Sequence, residues 1–299
     1  MFDLVTKKGF KMALASLLVA GAVAGCATKD NGSSAGTANG GEANKPAATE
    51  ISGKVTASGS TALLPLVKQA ADEFMKRHPK TEISVTGGGS GTGLKQVANG
   101  EVDIGNSDVA AGEEFKDKNL VDHVVAIAPF ALIVNKSVTI DNLTKQQAAD
   151  IFAGKIKNWK EVGGQDEKIT IVHRPESSGS RKLVKQIVLD NGEFTTEGVV
   201  QESSGAMKTA VAGTSGAIGY VDTPYIDDSV KALKINGVAY SKEAIKNGTY
   251  KLYGVEHMYT KGEPQGAVKA FLDYILSPGF QNTQVEKIGF LPANLVGGK

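Results

Sequence analysis

Three stretches of the sequence gather small hydroxyl residues and glycines where a strand-like pattern gives way to a helix-like one. They are Gly59-Ser60-Thr61-Ala62, Gly89-Ser90-Gly91-Thr92-Gly93, and Arg174-Pro175-Glu176-Ser177-Ser178-Gly179-Ser180. A helix start leaves several backbone N–H groups unpaired and carries about half a positive charge. Serine and threonine add hydroxyl donors, and glycine lets an anion approach the main chain. Arg174 offers a guanidinium fork that fits an oxyanion bidentately. Asp108 is the odd member, because a carboxylate repels an anion unless that anion has a proton to donate. A protonated oxyanion would donate to Asp108 and accept from everything else. Each residue alone has an ordinary explanation: an N-cap for a Ser or Thr, a surface cation for Arg174, a turn residue for Asp108. Their joint occurrence carries the reading.

Other chemistries fit less well. Gly88 to Lys95 fails the phosphate-loop pattern, because Leu94 separates Gly93 from Lys95 and Gln96 follows. The same stretch fails the dinucleotide pattern, with Thr92 where glycine is needed. A serine hydrolase or phosphatase using Ser90 or Ser178 is the enzyme alternative. The nucleophile-elbow pattern is absent, however, and no histidine sits in a triad context. His78, His123, His173 and His257 are scattered without metal-ligand spacing, and Trp159 reads as a packing residue. The expectation is therefore a binding protein, not an enzyme, with no catalytic residue, metal or cofactor.

The elements that must position these residues alternate. Ile51–Ala57 reads as a strand, followed by a helix with Leu63, Leu66, Val67, Ala70 and Phe74 at helical spacing. Thr61 is its cap candidate, and Pro65 falls in its first turn. Thr81–Thr86 is a strand, Gly87–Gly93 a turn, Leu94–Asn99 a short helix ended by Gly100, and Val102–Gly105 a strand. Further on come the apolar run Val124–Val134, a helix over Lys145–Phe152 and a strand over Lys168–His173. Then follow a helix over Ser180–Leu189, strands over Gly216–Val221 and Lys251–Tyr259, and a helix over Gln265–Leu276. Such alternation indicates an α/β fold with a mainly parallel sheet, whose ligand sites lie at the carboxyl ends of strands.

The chain has 299 residues, of which 41% are hydrophobic and 22% charged, enough for a sizeable core. Lys+Arg 33 against Asp+Glu 32 gives +1, which lacks the basic excess of a nucleic-acid binder. A single cysteine excludes a disulfide framework. Lys7, Lys8 and Lys11 precede the apolar run Met12–Ala24, which has the length of a secretory signal and is too short to span a bilayer. Residues 27–50 contain no Val, Ile, Leu, Met or aromatic residue, and read as a flexible tether.

Val23-Ala24-Gly25 before Cys26 resembles the cleavage box of bacterial lipoproteins. The resemblance implies removal of residues 1–25 and diacylation of Cys26; a secretory signal with an incidental cysteine is the other reading. Loss of residues 1–25 removes three lysines and Asp3, leaving the remainder close to neutral.

The motifs GSTALLP (from Gly59), GGGSGTGLKQ (Gly87–Gln96), VDIGNSD (Val102–Asp108), IFAGKIKNWKEVGG (Ile151–Gly164), VHRPESSGS (Val172–Ser180) and GTSGAIGYV (Gly213–Val221) together resemble the phosphate-binding proteins of the phosphate ABC transporter. The resemblance covers residues 51–299. It implies a two-lobed type-II periplasmic-binding fold, each lobe a mixed, mainly parallel sheet flanked by helices, with two crossover hinges. Lobe 1 would comprise 51–133 plus 254–299, and lobe 2 134–253. The implied ligand is inorganic phosphate, and the implied partners are the permease subunits of an ABC transporter. The implied location is the extracytoplasmic face of the cell membrane, as a lipid-anchored monomer. Another tetrahedral oxyanion, sulfate or molybdate, is the alternative ligand, and Asp108 argues against both.

By the same resemblance, Thr61 donates its hydroxyl, Ala62 its backbone N–H, and Ser90 both. Asp108 accepts the phosphate proton. Arg174 pairs with the anion and with Asp108, and Ser178, Gly179 and Ser180 donate from a helix start. The family often has an aromatic where Ala62 stands and Thr where Ser180 stands. A shift of one residue would promote Ser60 or Ser177 in place of Thr61 or Ser178.

Overall fold

The computed structural model describes residues 50–295. The signal, Cys26 and nearly all of the tether lie outside the described residues. In chain order the strands are β1 (Gly53–Gly59), β2 (Thr81–Gly87), β3 (Ile104–Ser107), β4 (Leu120–Val134), β5 (Asn142–Leu143), β6 (Thr170–His173), β7 (Val199–Val200), β8 (Ala217–Asp222), β9 (Lys231–Ala232), β10 (Lys234–Ile235), β11 (Tyr253–Lys261) and β12 (Leu291–Pro292). The helices are α1 (Leu64–Arg77), α2 (Ser90–Asn99), α3 (Lys145–Phe152), α4 (Gly179–Ile187), α5 (Ser204–Gly213), α6 (Lys242–Lys246), α7 (Gly266–Leu276), α8 (Pro278–Thr283) and α9 (Val285–Ile288).

One mixed sheet runs β2-β1-β3-β11-β4-β8-β6-β7, with β12 and β9 also paired to β4. β1 is parallel to β2 and β3, and β6 is parallel to β7 and β8. The long strands β4 and β11 are antiparallel in the middle. β4 is buried without a break from Val125 to Val134, which explains its uninterrupted apolar sequence. Its neighbour changes partway along: β11 pairs with it as far as Pro129, and β8 from Phe130 onward. Proline has no N–H to give to a ladder, so it fits the position where one ladder ends and the next begins.

Two large apolar clusters lie along this sheet. One gathers Val55, Leu66, Phe74, Phe271 and Phe280 around β1, α1 and α7. The other gathers Phe130, Ile133, Phe152, Trp159 and Tyr220 around β6, β8 and α3. Trp159 is fully buried there, and its indole N–H donates to the Gly216 carbonyl at 2.9 Å.

Three local expectations change. Thr61 does not cap α1; the Ser60 Oγ accepts the Leu63 N–H at 3.0 Å instead. The turn ends at Gly89, because α2 begins at Ser90 and takes in Gly91 and Gly93. Glycine is a poor helix former, at roughly 1 kcal/mol less favourable than Ala. Packing overrides that here: a Cβ on Gly93 would stand 2.6 Å from the Ser58 carbonyl oxygen, so only glycine lets α2 rest on β1. Finally α5, which the sequence pattern did not suggest, follows β7 and is capped by the Ser203 hydroxyl.

Candidate functional site

Four strand-to-helix turns converge at one buried point. The first leaves β1 at Gly59, whose φ of +129° and contact with Asn106 require glycine. The Ser60 N–H then donates to the Asn106 carbonyl at 2.9 Å, which fixes the turn to β3. The Ser60 hydroxyl donates to Asp108 Oδ1. Thr61 and Ala62 follow, both buried.

The second turn is stitched to the first by the Gly89 N–H, which donates to the Gly59 carbonyl at 2.8 Å. Ser90 opens α2, and its Oγ accepts the Asp108 N–H at 3.0 Å. Asp108 follows β3 directly and is 2% exposed.

The third turn follows β6. Arg174 is 2% exposed and is the only Lys or Arg in the buried set of the described residues. Its Nη1 donates to Ser204 Oγ at 3.3 Å, and its Nη2 to Thr61 Oγ1 and to the Glu202 carbonyl, both at 3.1 Å. Its Nε has no partner. Ser178 caps α4, accepting the Arg181 N–H at 3.3 Å, and its hydroxyl hydrogen is left to donate elsewhere. Gly179 and Ser180 open the helix, so their N–H groups have no acceptor within it. The Ser180 hydroxyl donates to Asp108 Oδ2 at 3.1 Å.

All eight residues expected in the site are buried; Asp108 is bonded to Ser90 and Ser180, and Arg174 to Thr61, in two adjacent groups. Ser60 joins the first group through Asp108. Ser177 takes part only through its carbonyl, which accepts the Gly91 N–H at 2.9 Å. The expected ion pair between Arg174 and Asp108 is not formed: serine hydroxyls hold both Asp108 oxygens, and Thr61, Ser204 and Glu202 hold the guanidinium.

The fourth turn went unread in the sequence. Ser204 opens α5, is buried, and bonds through its N–H and hydroxyl to Thr61 Oγ1, each at 3.2 Å. Its signal was present, since Ser203-Ser204-Gly205 repeats the Ser/Gly composition of the other three turns. Two further acids were also missed. Asp222 ends β8 and Glu256 lies on β11, at 1% and 0% exposure. None of their four carboxyl oxygens has a donor. Burial, and then the charge of Asp108, pushes Asp222 well above the ordinary carboxylate range; Arg174 opposes the shift. Glu256 is pushed well above it by burial, then by Asp108 and Asp222. Burial also raises the Tyr220 hydroxyl, which accepts the Arg174 N–H, to about 12.

No group of three or more His, Cys, Asp or Glu among the described residues is arranged to hold a metal ion. No histidine bonds a serine of the site. The rings of His123, His173 and His257 bond to Thr260, the Glu197 carbonyl and Asp122.

A family model for the PBP superfamily domain matches residues 43–278. The phosphate-binding protein PstS of Bacillus subtilis (strain 168) is 43% identical over 282 residues, covering 93% of this chain and 91% of the relative. The chain belongs to the PstS phosphate-binding protein family. The phosphate-bound X-ray structure of a phosphate ABC transporter substrate-binding protein from Clostridium perfringens aligns with a TM-score of 0.77 at 34% identity, covering 80% of this chain and 99% of that one. A phosphate transport receptor from Vibrio cholerae aligns at 0.66 and 27% identity, covering 79% and 99%. The PstS relatives and the mixed α/β topology agree on the type-II periplasmic-binding fold. No described helix is long and apolar enough to cross a membrane.

Proposed function

We propose that this protein captures inorganic phosphate outside the cytoplasm and hands it to the permease of an ABC transporter, without catalysing a reaction. The observation that carries this reading is the buried Asp108, which accepts the Ser60 and Ser180 hydroxyls where the turns meet. Phosphate near neutral pH keeps at least one proton. Its P–OH donates to Asp108, and its remaining oxygens accept from Thr61, Ala62, Ser90, Ser178, Gly179, Ser180 and the Arg174 fork. Phosphate entry redirects the hydroxyls that now bond Asp108 and the guanidinium. Cys26 carries the lipid that holds the protein to the membrane, and residues 27–50 give it reach.

The lobes are 51–133 with 254–299, and 134–253. The chain passes between them at the end of β4, whose first part pairs with β11 and whose last part pairs with β8, and it returns at the start of β11. Thr61, Ser90 and Asp108 come from the first lobe, and Arg174 and Ser178–Ser180 from the second, so phosphate closes the cleft by bonding both sides.

Competition tests the reading. Labelled phosphate is bound to protein stripped of endogenous ligand, then challenged with arsenate or excess sulfate. Arsenate matches phosphate in shape and protonation and displaces it. Sulfate has no hydrogen for Asp108 and does not. A site built around a hydrogen bond rejects an analogue lacking it by roughly 10⁴–10⁵, because the acceptor stays buried and unpaired. Displacement by sulfate at concentrations comparable to arsenate overturns the role of Asp108.

A further inference from the structure

Three carboxyl groups, Asp108, Asp222 and Glu256, are buried close to one another, and Arg174 lies close to Asp222. Glu256 is the most enclosed of them. It sits where the β4–β11 register shifts, between Glu256 and His257. Such bulges recur beside functional sites, where they re-aim side chains. Here Glu256 and His257 are both buried although they are adjacent in a strand. Glu256 reaches the site: a Cβ built on Gly254 would lie 3.2 Å from the Asp108 carbonyl oxygen and 3.6 Å from Glu256 Oε1. The charged and titratable neighbours of this cluster are Asp108 at the end of β3, Asp222 at the end of β8, Arg174 after β6, and Tyr225, whose hydroxyl donates to the Thr61 carbonyl at 2.5 Å. His257 turns away to Asp122, at 2.9 Å.

Three ionised carboxylates and one cation cannot share a dry site with an anion, since an unpaired buried charge is strongly unfavourable. Hydrogen bonding allocates the protons. Asp108 receives two hydroxyls and acts as an acceptor. Neither oxygen of Glu256 has a donor, and its carboxyl approaches that of Asp108, so a proton shared by the two acids belongs on Glu256. We propose that Glu256 is a positioning residue of the phosphate site: it takes up a proton as the cleft closes over phosphate and donates that O–H to Asp108, holding Asp108 as the acceptor of the phosphate hydrogen.

The proton comes from solvent, and no covalent bond other than its O–H forms. Burial and the two facing acids raise Glu256 in the closed state above its value in an open, watered cleft, which is about 4.3 for a free glutamate. Phosphate affinity is therefore highest at acid pH and declines as pH rises towards the closed-state value. The decline is about tenfold per pH unit for one linked proton. Asp222, raised in the same way, contributes a separate proton.

The inference rests on the phosphate reading, and the test separates the two. Phosphate affinity of the purified full chain is measured across pH 5–9 by calorimetry, for wild type, Glu256→Gln and Glu256→Leu. Phosphate's own titration is common to all three and cancels in the comparison. Glu256→Gln keeps an N–H donor but cannot ionise. It binds phosphate with a pH dependence shallower by about one tenfold step per pH unit. Glu256→Leu has no donor and binds about tenfold or more weakly at pH 5. Identical slopes in wild type and Glu256→Gln overturn the inference alone. No phosphate binding at any pH overturns the phosphate reading and this inference with it. Should the variants not fold, the infrared difference spectrum of wild type with and without phosphate decides. A new protonated-carboxyl band on binding supports the inference, and its absence overturns it.

Discussion

Gly179 stands directly against Asp108: a Cβ at position 179 would lie 2.7 Å from Asp108 Oδ2 and 2.3 Å from Ser90 Oγ. The start of α4 reaches the carboxylate of the opposite turn only because this residue has no side chain. Gly179→Ala is expected to keep the cleft from closing fully. Overpacking costs roughly 1–3 kcal/mol, or about 5- to 150-fold in phosphate affinity. Calorimetry reads the affinity loss, and thermal melting of the phosphate-free variant stays close to wild type because the clash belongs to the closed form.

Arg174 is the one buried cation of the site. Removing one partner of a buried charge pair costs roughly 2–5 kcal/mol, about 30- to several-thousand-fold in affinity. Arg174→Ala is expected to lose phosphate affinity within that range. Arg174→Lys also weakens binding, because an ammonium cannot reach Thr61, Ser204 and the Glu202 carbonyl together. Equilibrium dialysis against labelled phosphate measures both. Unchanged affinity in folded Arg174→Ala removes the residue from the site.

His173 lies outside the site but links pH to stability. Its Nε2 pairs with the Glu197 carbonyl at 2.7 Å, its Nδ1 is buried without a partner, and burial lowers it below the ordinary histidine range. The unfolded chain therefore binds this proton more readily than the native one. Stability from His173 is present above about pH 6.5 and is lost as pH falls through the lower native value. His173→Gln is expected to be less stable than wild type at pH 7.5, with the gap narrowing at pH 5. Urea unfolding at the two pH values measures it; a constant gap means the ring stays neutral in both states.

Cys26 tests the anchor. Cys26→Ser is expected to leave the membrane fraction for the soluble one, since each acyl CH₂ adds ~0.8 kcal/mol of membrane affinity. Membrane retention equal to wild type would show that the thiol is not the point of attachment.

The α/β alternation was legible because most elements announce themselves locally. Lys145–Phe152, for example, matches α3 residue for residue. The convergence of Thr61, Ser90, Asp108, Arg174 and Ser180 was legible as a set of motifs. What escaped had a tertiary cause. The start of α2 hides behind glycines that look like a turn and are helical only because β1 lies beneath them. Glu256 hides in Val255-Glu256-His257, where strict alternation puts valine inside and glutamate outside. In the structure Gly254 and Glu256 share the buried face and Val255 is only half-buried, and the register shift that follows Glu256 leaves His257 buried as well, so residue type misleads about which face is inside. The Arg174–Asp108 pair failed because neighbouring hydroxyls satisfied both groups first.

The position of β11 between β3 and β4 has a consequence for the birth of the protein. As the chain emerges amino end first, β1 to β4 are complete long before Tyr253–Lys261 exists. Until then the inner edges of β3 and β4 face an empty slot, and each offers unpaired backbone groups to any passing strand. Nearly nine-tenths of the polypeptide must be made before this sheet can be sealed, so the sheet cannot assemble step by step with synthesis. A chain that crossed a membrane through a translocation channel would gain from that delay, because it has no finished sheet to resist threading until β11 has been made.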